Sequence, residues 1–195
     1  MISKEEFDDA YSKTNAPWTS TSPPGLLKGL IAGGIIKPCK ALDVGCGEGY
    51  NSIFLAKHGF DVTGIDFSRK AINYSKENST RSGTKVNFKV MDALNIGQMN
   101  ETFDFVLEWL LINHLEKKFF DNHVSRINRL MNHKGLYLSS SLSDNAENKN
   151  INCYTMEELS EVFSKYFEII TQEQQTTTYD NKLRLINVFL LKKKE

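Results

Sequence analysis

A chain of 195 residues with 24 basic and 24 acidic side chains carries no formal net charge, and 40% of it is hydrophobic. That length suits one domain with a sizeable core, and the charge balance lacks the basic footprint of a general nucleic-acid binder. Cys39, Cys46 and Cys153 form no CxxC pair and no Cys/His cluster, which argues against a disulfide framework and a zinc site; a reducing cytoplasm and no bound metal are expected.

The N-terminal MISKEEFDDAYSK is acidic and has no apolar centre, so it does not read as a signal peptide. Residues 1–16 read as a polar helical arm, and PWTSTSPPG (17–25) as a loop carrying one large aromatic, Trp18. Leu26 to Ile35 suits a short helix weakened by glycine. The apolar-leaning stretch 25–36 is too short to span a bilayer and contains Lys28, so no membrane partner is expected. Residues 1–36 are taken as an arm or lid on a domain formed by 37–195.

From there strands and helices alternate. Lys40–Val44 is a first strand and Asn51–His58 a helix stopped by Gly59. Phe60–Ile65 is a second strand, and Ser68 is a good N-cap for a helix to about Arg81. Lys85–Val90 and Phe103–Leu107 are further strands. Glu116–Met131 is a helix with Phe119, Phe120, Val124, Ile127 and Leu130 at helical spacing. His133–Gly135 is a turn, Leu136–Ser141 a fifth strand, and Thr155–Glu158 a capping box opening a helix to about Lys165. Phe167–Thr171 and Leu183–Leu191 are two last strands with no helix between them. The pattern predicts an α/β fold: a Rossmann-like, seven-stranded, mainly parallel sheet with helices on both faces and an antiparallel C-terminal hairpin at one edge. Ligands of such sheets bind at the carboxyl ends of the strands, where the order reverses.

The stretch ALDVGCGEGY (41–50) sits at such an end. A P-loop needs Gly-Lys-Ser/Thr at the helix start, whereas Gly49 is followed by Tyr50-Asn-Ser. A dinucleotide fingerprint from Gly45 needs a third glycine where Tyr50 stands. S-adenosyl-L-methionine carries a sulfonium and an ammonium and no phosphate, so it asks for close backbone approach together with acids. Gly45, Cys46, Gly47 and Gly49 supply the first, with Cys46 present as a small residue. Asp43 is positioned for the ammonium side, Asp66 for both ribose hydroxyls, and Asp92 for the adenine amino group. Phe67 and Met91 flank the ring, and Glu108 is read beside the amino-acid end, with Trp109 either walling the pocket or packing in the core.

ALDVGCGEGYNSIFLAKHG, VTGIDFS, VMDAL and FDFVLEWLLINHL resemble the class I S-adenosylmethionine-dependent methyltransferases over residues 15–142. The Pro17-Trp18 box adds a likeness to the small-molecule branch, which includes thiopurine, thiol and tellurite-resistance methyltransferases. The resemblance implies a seven-stranded sheet and methyl transfer from sulfonium to a nucleophilic S, O or N. It also assigns Asp43, Gly45, Gly47 and Gly49 to the first motif, Asp66 to the ribose, Asp92 with Ala93 to the adenine edge, and Glu108 to the end of the fourth strand. Thr19, Leu111 and Asn113 depart from the branch pattern.

In-line methyl transfer needs alignment above all, and a base only if the acceptor arrives protonated. His114 is the candidate base, or else a cap of the following helix. Asn113 is a candidate for orienting a polar acceptor group. Trp18, with Tyr11, is read as a lid or as an anchor of the arm. His58, His123 and His133 are read as helix-end or surface residues. A small-molecule acceptor and a monomer or homodimer are expected. An RNA or protein methyltransferase, a nicotinamide-dependent oxidoreductase and a non-catalytic cofactor-binding partner protein are the rival readings. Residues 143–182 match nothing informative.

Overall fold

The computed structural model describes residues 4–12, 16, 18–143, 151–179 and 182–194. Pro17 of the Pro-Trp pair, the ends of the arm, residues 144–150 and residues 180–181 lie outside the described residues. The elements are α1 (Lys4–Ser12), α2 (Gly25–Ala32), β1 (Lys40–Val44), α3 (Tyr50–Lys57), β2 (Asp61–Asp66), α4 (Arg69–Arg81), β3 (Asn87–Val90), β4 (Phe103–Trp109), α5 (Lys117–Leu130), β5 (Met131–Leu142), α6 (Met156–Tyr166), β6 (Phe167–Tyr179) and β7 (Lys182–Lys193). Short 3₁₀ turns at Ala93–Gln98 and Ile112–His114 complete the chain.

The sheet order is β3-β2-β1-β4-β5-β7-β6. The first five strands are parallel, and β7 enters antiparallel between β5 and β6. The order reverses between β1 and β4, which opens a crevice at their carboxyl ends. Strand alternation divides the core. Leu42, Val44, Val106, Tyr137 and Phe189 pack with α5 and α6 on one face, while Ala41, Val62, Leu107, Leu138 and Val188 pack with α2 and α3 on the other.

Local chemistry sets several boundaries. Ser68 caps α4 by accepting from the Ala71 N–H at 3.1 Å, and Thr155 with Glu158 forms the capping box of α6 through two reciprocal bonds. Other boundaries move. The turn read at His133–Gly135 is a bulge within β5, with Lys134 at φ 61° where the pairing with β4 shifts register. Both hairpin strands run longer than read, because β6 pairs with β7 from Phe167 to Tyr179. Phe119, read as part of the apolar stripe of α5, is exposed under the Lys118 ammonium. The buried face uses His123 instead.

Among the described residues no helix is long and apolar enough to cross a membrane. Nor are three His, Cys, Asp or Glu side chains grouped to hold a metal.

Candidate active site

The crevice is floored by the glycine loop. Gly45 and Cys46 donate backbone N–H groups to the Ile65 carbonyl at 2.8 and 2.9 Å, tying the loop to β2. Gly47 stands at φ 53° and Gly49 at φ 82°, a region that costs other residues about 1–2 kcal/mol. Space demands glycine as well. A Cβ at Gly49 would lie 2.8 Å from the Phe88 ring and from Ser75, and one at Gly47 would lie 3.0 Å from the Tyr11 hydroxyl.

Asp66 ends β2 beside this loop and is 8% exposed. Its Oδ2 accepts from the Gly47 N–H at 3.0 Å and its Oδ1 from the Ser68 N–H at 2.9 Å. Burial raises its carboxyl to about 6, against the pull of those two N–H groups. Asp43 lies beneath the loop, 1% exposed, with Oδ2 accepting from the Ser52 hydroxyl at 2.5 Å. Burial raises it to about 7 despite that bond. Burial also pushes the Cys46 thiol well above its ordinary range, the opposite of an activated nucleophile.

The arm roofs the crevice. Phe7 packs tilted against Trp18 at 4.7 Å and meets Phe67 at 5.1 Å and His114 at 5.0 Å edge to face. Tyr11 meets Trp18 at 5.7 Å. The Trp18 indole N–H, turned toward the Tyr11 hydroxyl, is buried without a well-formed hydrogen bond. Asp8 accepts from the Ser68 hydroxyl, which docks α1 on the N-terminus of α4. Below this roof a cavity of about 160 Å³ remains, less than the roughly 300–1,000 Å³ of typical small-molecule sites. The far wall begins at Leu110, whose φ of 61° turns the chain from β4 into the segment carrying His114.

Trp18, Gly45, Cys46, Gly47, Asp66, Phe67, Trp109 and His114, all named from the sequence, line this one cavity. Asp43 and Gly49 support the loop from behind. Met91 packs at half-burial against the α5-side core, Ala93 is buried in it, and Asp92 caps the adjoining 3₁₀ turn by accepting from the Leu94 N–H at 2.9 Å.

Glu108 requires a correction. The strand continues past Leu107 to Trp109, and alternation sends Glu108 to the α5 face, where it is wholly buried. There Oε1 meets His123 Nε2 at 2.6 Å and Oε2 accepts from the Tyr137 hydroxyl. His123 is therefore a core residue and not a surface one. Asn113 is likewise structural. It is fully buried, its Oδ1 accepts from the Leu142 N–H at 2.9 Å, and its Nδ2 donates to the Asn152 carbonyl at 2.5 Å.

Sequence reasoning missed Phe7, Glu48, Thr177 and Thr178 in the cavity wall. Glu48 was legible as the acid inside GCGEG. The threonines were not, since they reach the site only through the length of β6. Desolvation among the rings lowers His114 to about 4, leaving a neutral imidazole at pH 7, and its Nε2 lies 3.4 Å from the Tyr179 hydroxyl.

This sheet order, loop and crevice define a class I methyltransferase fold. Residues 41–135, just under half of the chain, match the family model described as "Methyltransferase domain". It is 32% identical over 84 residues to the probable S-adenosyl-L-methionine-dependent methyltransferase TehB of Haemophilus influenzae, a match covering 43% of this chain and 29% of that protein. The chain thus spans less than a third of the length of this curated relative. The crystal structure of TehB superposes with a TM-score of 0.76 at 23% identity, over 98% of this chain and 67% of that one. The Burkholderia thailandensis 1,6-didemethyltoxoflavin-N1-methyltransferase, solved with its substrate and S-adenosylhomocysteine, gives a TM-score of 0.80 at 18% identity over 98% and 87% of the two chains.

Proposed function

We propose that this protein transfers a methyl group from S-adenosyl-L-methionine to a small-molecule acceptor. The observation that carries the reading is the pairing of Asp66, at the end of β2, with the Gly47 N–H of the loop that floors the crevice between β1 and β4. The residues fit the cofactor chemically. Asp66 offers a carboxylate to a diol, Glu48 adds a second acid to the wall, and Gly47, where a Cβ would press on the Tyr11 hydroxyl at 3.0 Å, keeps the backbone open to close approach. Asp66, Phe67 and the glycine loop would hold the adenosine side, with Asp92 and Ala93 beyond it, and Glu48, Trp18 and Trp109 the methionine side. The bound cofactor supplies a methyl group on a positively charged sulfur.

The chain's own part is alignment and exclusion of water. Phe7, Tyr11 and Trp18 form a lid of apolar surface, and the small volume beneath it is consistent with α1 shifting outward to admit the cofactor. With the rings covering part of the crevice, its half-buried and buried acids act at a lower effective dielectric than in water. His114, neutral at pH 7, is able to take a proton from the acceptor. The carrying experiment is transfer of radiolabelled methyl to a panel of thiols, phenols, amines and metalloid anions. Label appearing in an organic acceptor supports the reading. Cofactor binding with no transfer to any acceptor supports the rival non-catalytic role.

A further inference from the structure

The C-terminal hairpin outruns the sheet it belongs to. β5 stops pairing with β7 at Leu142↔Ile186, whereas β6 and β7 stay paired for four further positions, Thr176↔Leu185 to Tyr179↔Lys182. This overhang carries Thr177 and Thr178 into the wall of the cavity and Tyr179, 4% exposed, to within 3.4 Å of His114 Nε2. The same imidazole is pressed by Phe7 and Trp18 at 5.0 and 5.9 Å. One side of the ring is thus set by the arm and its Nε2 edge by the hairpin.

We infer that the end of the β6–β7 ladder is the acceptor subsite: Thr177, on the same strand face as Tyr179, offers its hydroxyl to a neutral small acceptor bearing an N–H, O–H or S–H group, and Tyr179 positions His114 for its proton. This rests on the methyltransferase reading above. Tyr179 is a positioning residue. When His114 donates Nε2–H to the Tyr179 oxygen, Nδ1 keeps its lone pair and becomes the proton acceptor. The acceptor atom's lone pair then forms a bond to the methyl carbon of the sulfonium donor. The C–S bond breaks with its electron pair left on sulfur, and the N–H, O–H or S–H proton passes to Nδ1. A weakly basic imidazole suffices, because the proton becomes acidic only as the acceptor atom gains positive charge. The Thr177 hydroxyl donates and accepts, which suits a neutral polar acceptor.

Two readouts test the assignment. The first is the ¹⁵N spectrum of the histidine rings, which distinguishes tautomers in the resting protein. Native protein is expected to show His114 protonated at Nε2, and Tyr179→Phe to shift that population; an Nδ1-protonated ring in native protein, or no change in the variant, overturns the positioning role. The second uses 2-mercaptoethanol, p-cresol and aniline as neutral acceptors, with benzoate as the anionic comparison. Tyr179→Phe is expected to lower kcat about tenfold, the effect of one hydrogen bond, and Thr177→Val to raise KM, while Thr178→Val, on the outward strand face, should leave KM unchanged. In all of them S-adenosylhomocysteine affinity should stay unchanged. Unaltered kcat and KM overturn the subsite, as does turnover confined to anionic acceptors. Failure of native protein to bind S-adenosylhomocysteine defeats the methyltransferase reading instead, so the two failures are separable.

Discussion

Phe7→Ala isolates the arm from the rest of the fold. Phe7 is 8% exposed and lies against Trp18, Phe67 and His114. Truncating a buried Phe costs about 3–5 kcal/mol. Here at least about 3 kcal/mol should fall on arm docking alone, roughly a hundredfold in that equilibrium. A helix of nine residues is marginal by itself, so α1 should undock as a unit while the sheet stays folded. Hydrogen exchange at residues 4–12 should accelerate about a hundredfold, and the thermal midpoint should hold within a few degrees. Were the arm part of the cooperative core, the same loss would lower the midpoint by roughly 6–12 °C. That drop, or unchanged exchange in the arm, refutes the lid.

Gly49→Ala should destabilise by about 2–4 kcal/mol in urea, from left-handed strain plus collision with Phe88 and Ser75. Gly34→Ala, at φ +69° in open space, should cost only about 1–2 kcal/mol. Glu108→Ala should cost about 2–5 kcal/mol by stripping a partner from buried His123 and Tyr137. Because Glu108 faces α5, Glu108→Gln should leave S-adenosylhomocysteine affinity within about twofold, as calorimetry can check. Asp43 has its folded pKa raised to about 7 from 3.8. The native state therefore binds more protons than the unfolded chain between these values, and stability falls as pH rises across them. Asp43→Asn should flatten that slope in denaturant titrations at pH 4.5 and 7.5; an unchanged slope assigns it elsewhere.

The parallel sheet was legible because each strand is a short apolar run bounded by turn residues, and because GCGEG admits few loops. The side on which an acid emerges was not. Asp66 and Glu108 both stand near strand ends, but two extra residues in β4 and strict alternation send Glu108 to the α5 side while Asp66 stays at the loop. His123 was misplaced for a related reason. A polar residue on the apolar stripe of α5 reads as surface unless its buried partner, far away in sequence, is known. The roof and far wall were least legible, since Phe7 gains its role only when α1 docks on α4, and Thr177, Thr178 and Tyr179 gain theirs only from pairing that extends β6 beyond β5.

The most direct test of the central claim is calorimetric titration of the native chain and Asp66→Ala with S-adenosylhomocysteine, with NAD as control. The account expects saturable one-site binding to native protein, none of NAD, and markedly weaker binding to a folded Asp66→Ala. At a hundred times the dissociation constant, the bound ligand should also stabilise the native chain by about 2.7 kcal/mol. Absence of S-adenosylhomocysteine binding, or equal affinity in the folded variant, contradicts it.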